Sequence, residues 1–163
     1  MTPARLGAAI AAVILVADQA TKLWALFVRR IVETGPVQVT SFLELTEVWN
    51  RGISYGLFQQ HTEWGRWLLI AVSAVAAVGF SIWLARARDR ALAIALGLLI
   101  GGAVGNLIDR VAYGAVFDFI HFYWGRFSWY VFNIADVAIV AGVIGLLYDA
   151  VRSRGGVQGT EGG

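Results

Sequence analysis

The 163-residue chain contains no cysteine. Disulfides, thiolate-held zinc, iron–sulfur clusters and cysteine nucleophiles are therefore excluded. Charge is scarce too: Asp, Glu, Lys and Arg make up 15% of the residues, against about 25% in an ordinary soluble domain. Thirteen basic and eleven acidic residues leave a formal charge of +2, too small an excess for a nucleic-acid binder. Only two histidines occur, His61 and His121, and both fall outside the long apolar stretches. An intramembrane Ser–His protease and a bis-His haem on facing helices lose their ligands on that ground. The absence of an H-E-x-x-H motif argues against a zinc protease. What is plentiful is apolar surface, at 58% of residues with a mean hydropathy of +0.67. Those values argue against a water-soluble globule and against disorder. The length allows one domain, and a small integral membrane protein remains.

A helix crossing the hydrocarbon core needs about 20 mostly apolar residues. Four windows meet that length: residues 6–28, 64–84, 91–108 and 131–150. The first is not expected to be a cleaved signal peptide, because its apolar pattern resumes after Gln19. Basic residues set the orientation. Segments 1–5, 85–90 and 151–163 hold six arginines, whereas the longer segments 29–63 and 111–130 hold four. Both termini are therefore expected in the cytoplasm, with the two longer segments outside. Residues 37–49 are rich in β-branched and aromatic side chains and follow a Gly35-Pro36 turn signal. The expected fold is thus an all-α integral membrane protein, a single domain over residues 1–163. It has four transmembrane helices and a small extracytoplasmic β-structure, about residues 35–60, between helices 1 and 2. The Gly-rich tail, about 154–163, is expected to be disordered.

Polar residues inside these windows carry the functional signal. A charge near the bilayer centre costs about 2.5–3.5 kcal/mol on insertion scales and is kept when it faces a bundle interior or a wet site. Asp18 and Lys22 are four apart and share a helix face. Asn106, Asp109 and Arg110 cluster at the end of the third window, and Asn133 and Asp136 at the start of the fourth. Asp136 reads as about five residues into its span and has no cation nearby in sequence. Asp118 falls in the second outer segment, read as a loop. Bland readings exist for each: a neutralised i,i+4 pair, an interhelical amide, an interfacial arginine, and packing for the Gly97, Gly101, Gly105 stripe. Gly52-Ile53-Ser54-Tyr55-Gly56 fits the nucleophile-elbow pattern, but a chain this short and apolar has no room for the α/β-hydrolase sheet that gives the pattern meaning. A proton-coupled carrier is the rival class. It is disfavoured because the polar groups gather at one leaflet and no repeat is visible.

The shared resource of the cluster is carboxylates. Two of them about 4 Å apart repel by about 4 kcal/mol at an effective dielectric near 20, so one stays protonated. The ionised member then serves as base on a water while the protonated one serves as acid. That chemistry needs no metal and no cofactor. Five segments, in order, resemble the bacterial lipoprotein signal peptidases (signal peptidase II): Asp18-Gln19-Ala20-Thr21-Lys22, Asn50-Arg51-Gly52, Gly105 to Arg110, Val116-Phe117-Asp118-Phe119, and Phe132-Asn133-Ile134-Ala135-Asp136. Val137 stands where the family commonly has Ser. The resemblance implies an aspartic endopeptidase of the bacterial cytoplasmic (inner) membrane. It would remove signal peptides by cutting before a diacylglyceryl-modified cysteine near the outer leaflet. It implies Asp118 and Asp136 as the catalytic pair. Asn133, Arg110, Asn106, Asn50, Gly52, Asp18, Lys22 and Ala135 would bind substrate or support the site. Asp109 is the competing acid, with Arg110 its expected ion-pair partner. The implied partners are lipidated prolipoproteins and membrane lipid, with no nucleic acid and no metal. The β-structure and residues 57–64 are expected to fold over the site as a lid.

Overall fold

The computed structural model describes residues 1–52 and 63–155. Residues 53–62, which hold Ser54 and most of the 57–64 part of the expected lid, lie outside the described residues, as do 156–163 of the tail. Among the described residues, four helices are long and apolar enough to cross a membrane. The first, α1 (Pro3–Leu23), begins with Pro3 in its first turn and Thr2 as a side-chain cap, and a π-helical turn over Trp24–Val28 extends it. Arg30 then adopts a left-handed conformation, φ 52°, and starts the short α2 (Ile31–Thr34). The second span is α3 (Glu63–Ala85). The third is α4 (Arg90–Tyr113), capped by the Asp89 carboxylate on the Ala91 and Leu92 N–H groups and closed by Gly114 at φ 79°. It runs five residues beyond the expected end. The fourth, α5 (Ile134–Gly155), starts three residues later than expected, which makes Asp136 only its third residue.

Helix α4 is the centre of the bundle: half of its apolar window is buried, against 17% for each of the other three. Small residues cause this. A Cβ on Gly101 would lie 2.7 Å from the Ala11 carbonyl oxygen of α1, and one on Gly102 would lie 2.5 Å from the Ala135 carbonyl oxygen of α5. The Gly97, Gly101, Gly105 stripe thus seats α1 on α4 while Gly102 seats α5 beside it, the close approach that small residues permit between membrane helices.

The β-structure differs from the expectation in one respect. It is a four-stranded antiparallel sheet in the order β1 (Val37–Thr40), β2 (Leu43–Asn50), β3 (Val116–Trp124), β4 (Phe127–Phe132). Among the described residues, β1 and β2 lie between the first two spans, and β3 and β4 come from the segment between the last two. Asp118 therefore sits on a strand, opposite Val48 of β2. The reason is visible in residues 116–119, all buried: alternate side chains serve two different interiors. Phe117 and Phe119 enter an aromatic core with Ala25 and Ile31, while Val116 and Asp118 take the other face. Chain order places the sheet at the bundle end where α1 and α4 finish and α3 and α5 begin. Met1, the α3–α4 turn and the end of α5 lie at the opposite end, where Arg152 pairs with Asp89 at 2.7 Å.

Candidate active site

At the sheet end, the start of α5 is closed by a reciprocal cap. The Asp136 N–H donates to Asn133 Oδ1 at 2.9 Å, and the Asn133 N–H donates to Asp136 Oδ2 at 3.3 Å. A third free donor of that first turn, the Ala135 N–H, reaches Asp18 Oδ1 of α1 at 3.0 Å. These are orphan groups that a helix start must satisfy, and a membrane end makes the need greater. Asn133 does more. Its Nδ2 donates to Asp118 Oδ1 at 2.6 Å and to Asn106 Oδ1 at 3.1 Å. One fully buried residue therefore joins the two acids, through its side chain to the Asp118 carboxyl on the sheet and through its backbone N–H to the Asp136 carboxyl on the helix.

Each carboxyl has a donor on both oxygens. Asp118 Oδ2 accepts from Asn50 Nδ2 at 3.2 Å, and Asp136 Oδ1 accepts from Asn106 Nδ2 at 2.9 Å. Asn50 is itself fixed by the Gly52 N–H on its Oδ1 at 3.0 Å. Burial pushes the Asp118 carboxyl up to about 7, with the neighbouring charge of Asp136 adding to the effect and the Asn50 hydrogen bond opposing it. A carboxyl at that value exchanges its proton near neutrality.

Behind the pair lies a buried cation. Lys22 Nζ is 2.8 Å from both Asp18 Oδ2 and Asp109 Oδ2 and donates to Asn106 Oδ1 at 3.3 Å. Asp109 also accepts the Phe117 N–H at 3.1 Å, which ties α4 to the strand bearing Asp118. Arg110 turns elsewhere. Its Nη2 donates to the Gly52 carbonyl at 3.2 Å and its Nη1 to the Asn106 carbonyl at 3.4 Å. Its Nε–H is buried and meets no acceptor among the described residues. A cavity of about 330 Å³ opens onto this cluster, with Asn50, Asn106, Arg110 and Asp136 at its polar end and Leu69, Val72, Phe80 and Leu99 along its apolar walls. A second apolar groove, about 340 Å³, reaches Asp136 from the Trp129 and Phe132 side. Among the described residues, no group of three or more His, Asp or Glu is placed to hold a metal ion.

The chain matches the family model described as signal peptidase (SPase) II over residues 10–152. The chain belongs to the signal peptidase II family. It is 58% identical to the lipoprotein signal peptidase of Methylobacterium sp. (strain 4-46), over 94% of this chain and 93% of that one. Against the lipoprotein signal peptidase of Methylorubrum extorquens (strain PA1) the identity is 56%, over 93% and 89%. A bacterial membrane enzyme solved by the in meso method at 2.3 Å superposes with a TM-score of 0.77 at 25% identity, covering 91% of this chain and 88% of that one. Signal peptidase II enzymes cleave signal peptides from prolipoproteins, and this chain is a multi-pass membrane peptidase of that kind.

Every residue singled out in this signal peptidase from its sequence gathers at the sheet end: Asp118, Asp136, Asn133, Asn106, Asn50, Gly52, Arg110, Asp18, Lys22 and Ala135. The expected Asp109–Arg110 pair is corrected. Asp109 is bound to Lys22 of α1, because consecutive helical residues point about 100° apart and Asp109 faces α1. Gln19 was missed as a site residue. Its Nε2 spans Asp18 Oδ2, Asp109 Oδ1 and the Gly105 carbonyl at 3.1–3.3 Å. Its place inside the Asp18–Lys22 segment was the available signal.

Proposed function

We propose that Asp118 and Asp136 are the catalytic pair of an aspartic endopeptidase that cuts prolipoproteins before a diacylglyceryl-modified cysteine. The observation that carries this reading is the shared Asn133: its side chain holds the buried Asp118 carboxyl and its backbone N–H the half-buried Asp136 carboxyl, which stands at the polar end of an apolar groove. Asp136, at the positive end of α5 with two N–H donors, is the ionised base. Asp118, held near 7, is the acid. Asp136 takes a proton from a water as its oxygen bonds to the scissile carbonyl carbon, and Asp118 gives its proton to the carbonyl oxygen. On collapse of the tetrahedral adduct, that hydroxyl proton returns to Asp118. Asp136 passes its proton to the cysteine nitrogen as the C–N bond breaks. Both acids end as they began, and no metal or cofactor enters the balance. The groove walled by Leu69, Val72, Phe80 and Leu99 takes acyl chains.

The same reading puts both termini in the cytoplasm and the sheet end at the outer leaflet of the bacterial cytoplasmic membrane, as the arginine distribution supports. A lipid-anchored cysteine presents its scissile bond at that depth. The test is cleavage of a purified diacylated prolipoprotein in the presence of a chelator. Asp118→Asn and Asp136→Asn are each expected to abolish cleavage while the protein stays folded and binds substrate. Full activity in either variant rejects the pair, and loss of wild-type activity on chelation rejects the metal-free mechanism.

A further inference from the structure

Arg66 lies in the first turn of α3, and its guanidinium, 5.8 Å from the ring centre of Trp67 on the same helix, reaches across to α4. Its Nε donates to the Arg110 carbonyl oxygen at 3.2 Å and its Nη2 to the Val111 carbonyl oxygen at 3.0 Å. Both acceptors belong to the last turn of α4, where a cation is favoured; the Arg110 carbonyl oxygen also takes the capping Gly114 N–H at 3.1 Å. The fit is close: a Cβ on Gly114 would lie 3.6 Å from Arg66 Cζ and Nη1, so the guanidinium rests against the turn that leads α4 into β3. The side chain is only partly buried, and a planar fork on two successive carbonyls is a geometry that lysine cannot copy.

The place of this clasp is what gives it consequence. Leu69, Val72, Ser73, Ala76 and Phe80 of α3 form one wall of the cavity whose polar end holds Asn106, Arg110 and Asp136. Helix α3 buries little else; Gly65, Leu69, Ala77 and Leu84 are its buried residues. Arg66 thus fastens a lightly held wall to the helix end that carries Asn106 and Arg110. We infer that Arg66 is a positioning and specificity residue, which sets the spacing between the α3 wall of the groove and the cleavage site and so governs the grip on substrate acyl chains. It acts through the α4 backbone and touches neither acid. The inference rests on the reading of this groove as the acyl-chain site.

The experiment is steady-state kinetics on purified enzyme, with one prolipoprotein peptide carrying long or short diacylglyceryl chains. Arg66→Met keeps the apolar stem and removes both donors. Its KM for the long-chain substrate is expected to rise about three- to tenfold, the effect of one or two lost hydrogen bonds. Its kcat per folded enzyme is expected to stay within about twofold. The short-chain substrate is expected to show a smaller rise. Arg66→Lys, able to meet one carbonyl, falls between. If Arg66→Met fails to fold, Arg66→Gln, which keeps one donor, serves in its place. A purely structural role lowers the folded fraction and leaves KM unchanged. That result, or an equal KM rise for long and short chains, overturns the inference. Failure of the underlying reading is distinguishable, because the wild-type enzyme then shows no dependence of KM on acyl length.

Discussion

Replacing Asp118 by Asn makes the enzyme inactive on the proposed mechanism, and it also makes stability respond to pH in a calculable way. In wild type, folding moves the carboxyl from an ordinary 3.8 to about 7. Below 3.8 it is neutral in both states and folding loses nothing. From 3.8 to about 7 the unfolded chain releases the proton while the native state keeps it, so stability falls by about 1.4 kcal/mol per pH unit and then levels off. The loss is about 2 kcal/mol at pH 5 and about 4 kcal/mol at pH 8. Asn carries no such penalty, but it has one of its own. Asp118 meets Nδ2 donors on both oxygens, from Asn133 and Asn50, so the new NH₂ faces a donor at a cost of about 1–3 kcal/mol at any pH. The two effects nearly cancel at pH 5 and leave the variant the more stable protein at pH 8. The change between the two pH values is independent of the mismatch. At about 2–3 kcal/mol it corresponds to roughly 5–10 °C in the difference of melting temperatures. Thermal unfolding of both proteins in one detergent, at pH 5 and pH 8, measures it. A gap that does not move with pH refutes the elevated carboxyl.

Lys22→Met leaves Asp18 and Asp109 buried without their cation and is expected to cost about 3–5 kcal/mol, seen as a melting temperature lower by about 10 °C; a fall of only a degree or two contradicts the triad. The kcat/KM profile of wild type is expected to descend above about pH 7 as Asp118 loses the proton it must donate. A profile flat to pH 9 removes Asp118 from the acid role.

The four spans were legible because length and hydropathy alone decide what fills a bilayer. The strands β3 and β4 were not. Val116 to Phe119 is a continuous apolar run broken only by Asp118, and without alternation a strand buried on both faces looks like loop or helix. The site residues were legible individually as polar groups in an apolar setting, and collectively through their motif order. Their partners were not. Asp109 beside Arg110 looks paired in sequence, yet helix geometry turns it to Lys22. Arg66 gave no sign at all, because its acceptors are backbone carbonyls 44 and 45 positions away, and backbone carries no sequence signature.

Asp136 seemed anomalous for want of a cation, and its cap resolves the puzzle. Asn133 and Asp136, three apart, are what closes the start of α5, so one carboxylate serves both the fold and the proposed chemistry. That double duty undermines a simple deletion: Asp136→Ala removes the cap with the acid, and inactivity alone does not say which mattered. An exchange separates them. Asn106 Nδ2 donates to Asp136 Oδ1, so Asn106→Asp combined with Asp136→Asn restores a donor–acceptor pair with its direction reversed. The new Asn keeps an oxygen for the Asn133 N–H, as asparagine does at helix starts. The acid has moved across the hydrogen bond to α4, beside Lys22. The double variant is expected to melt within a few degrees of wild type and to cleave no prolipoprotein. If it retains wild-type turnover, the position of the carboxylate on α5 is a matter of capping, and the base lies elsewhere.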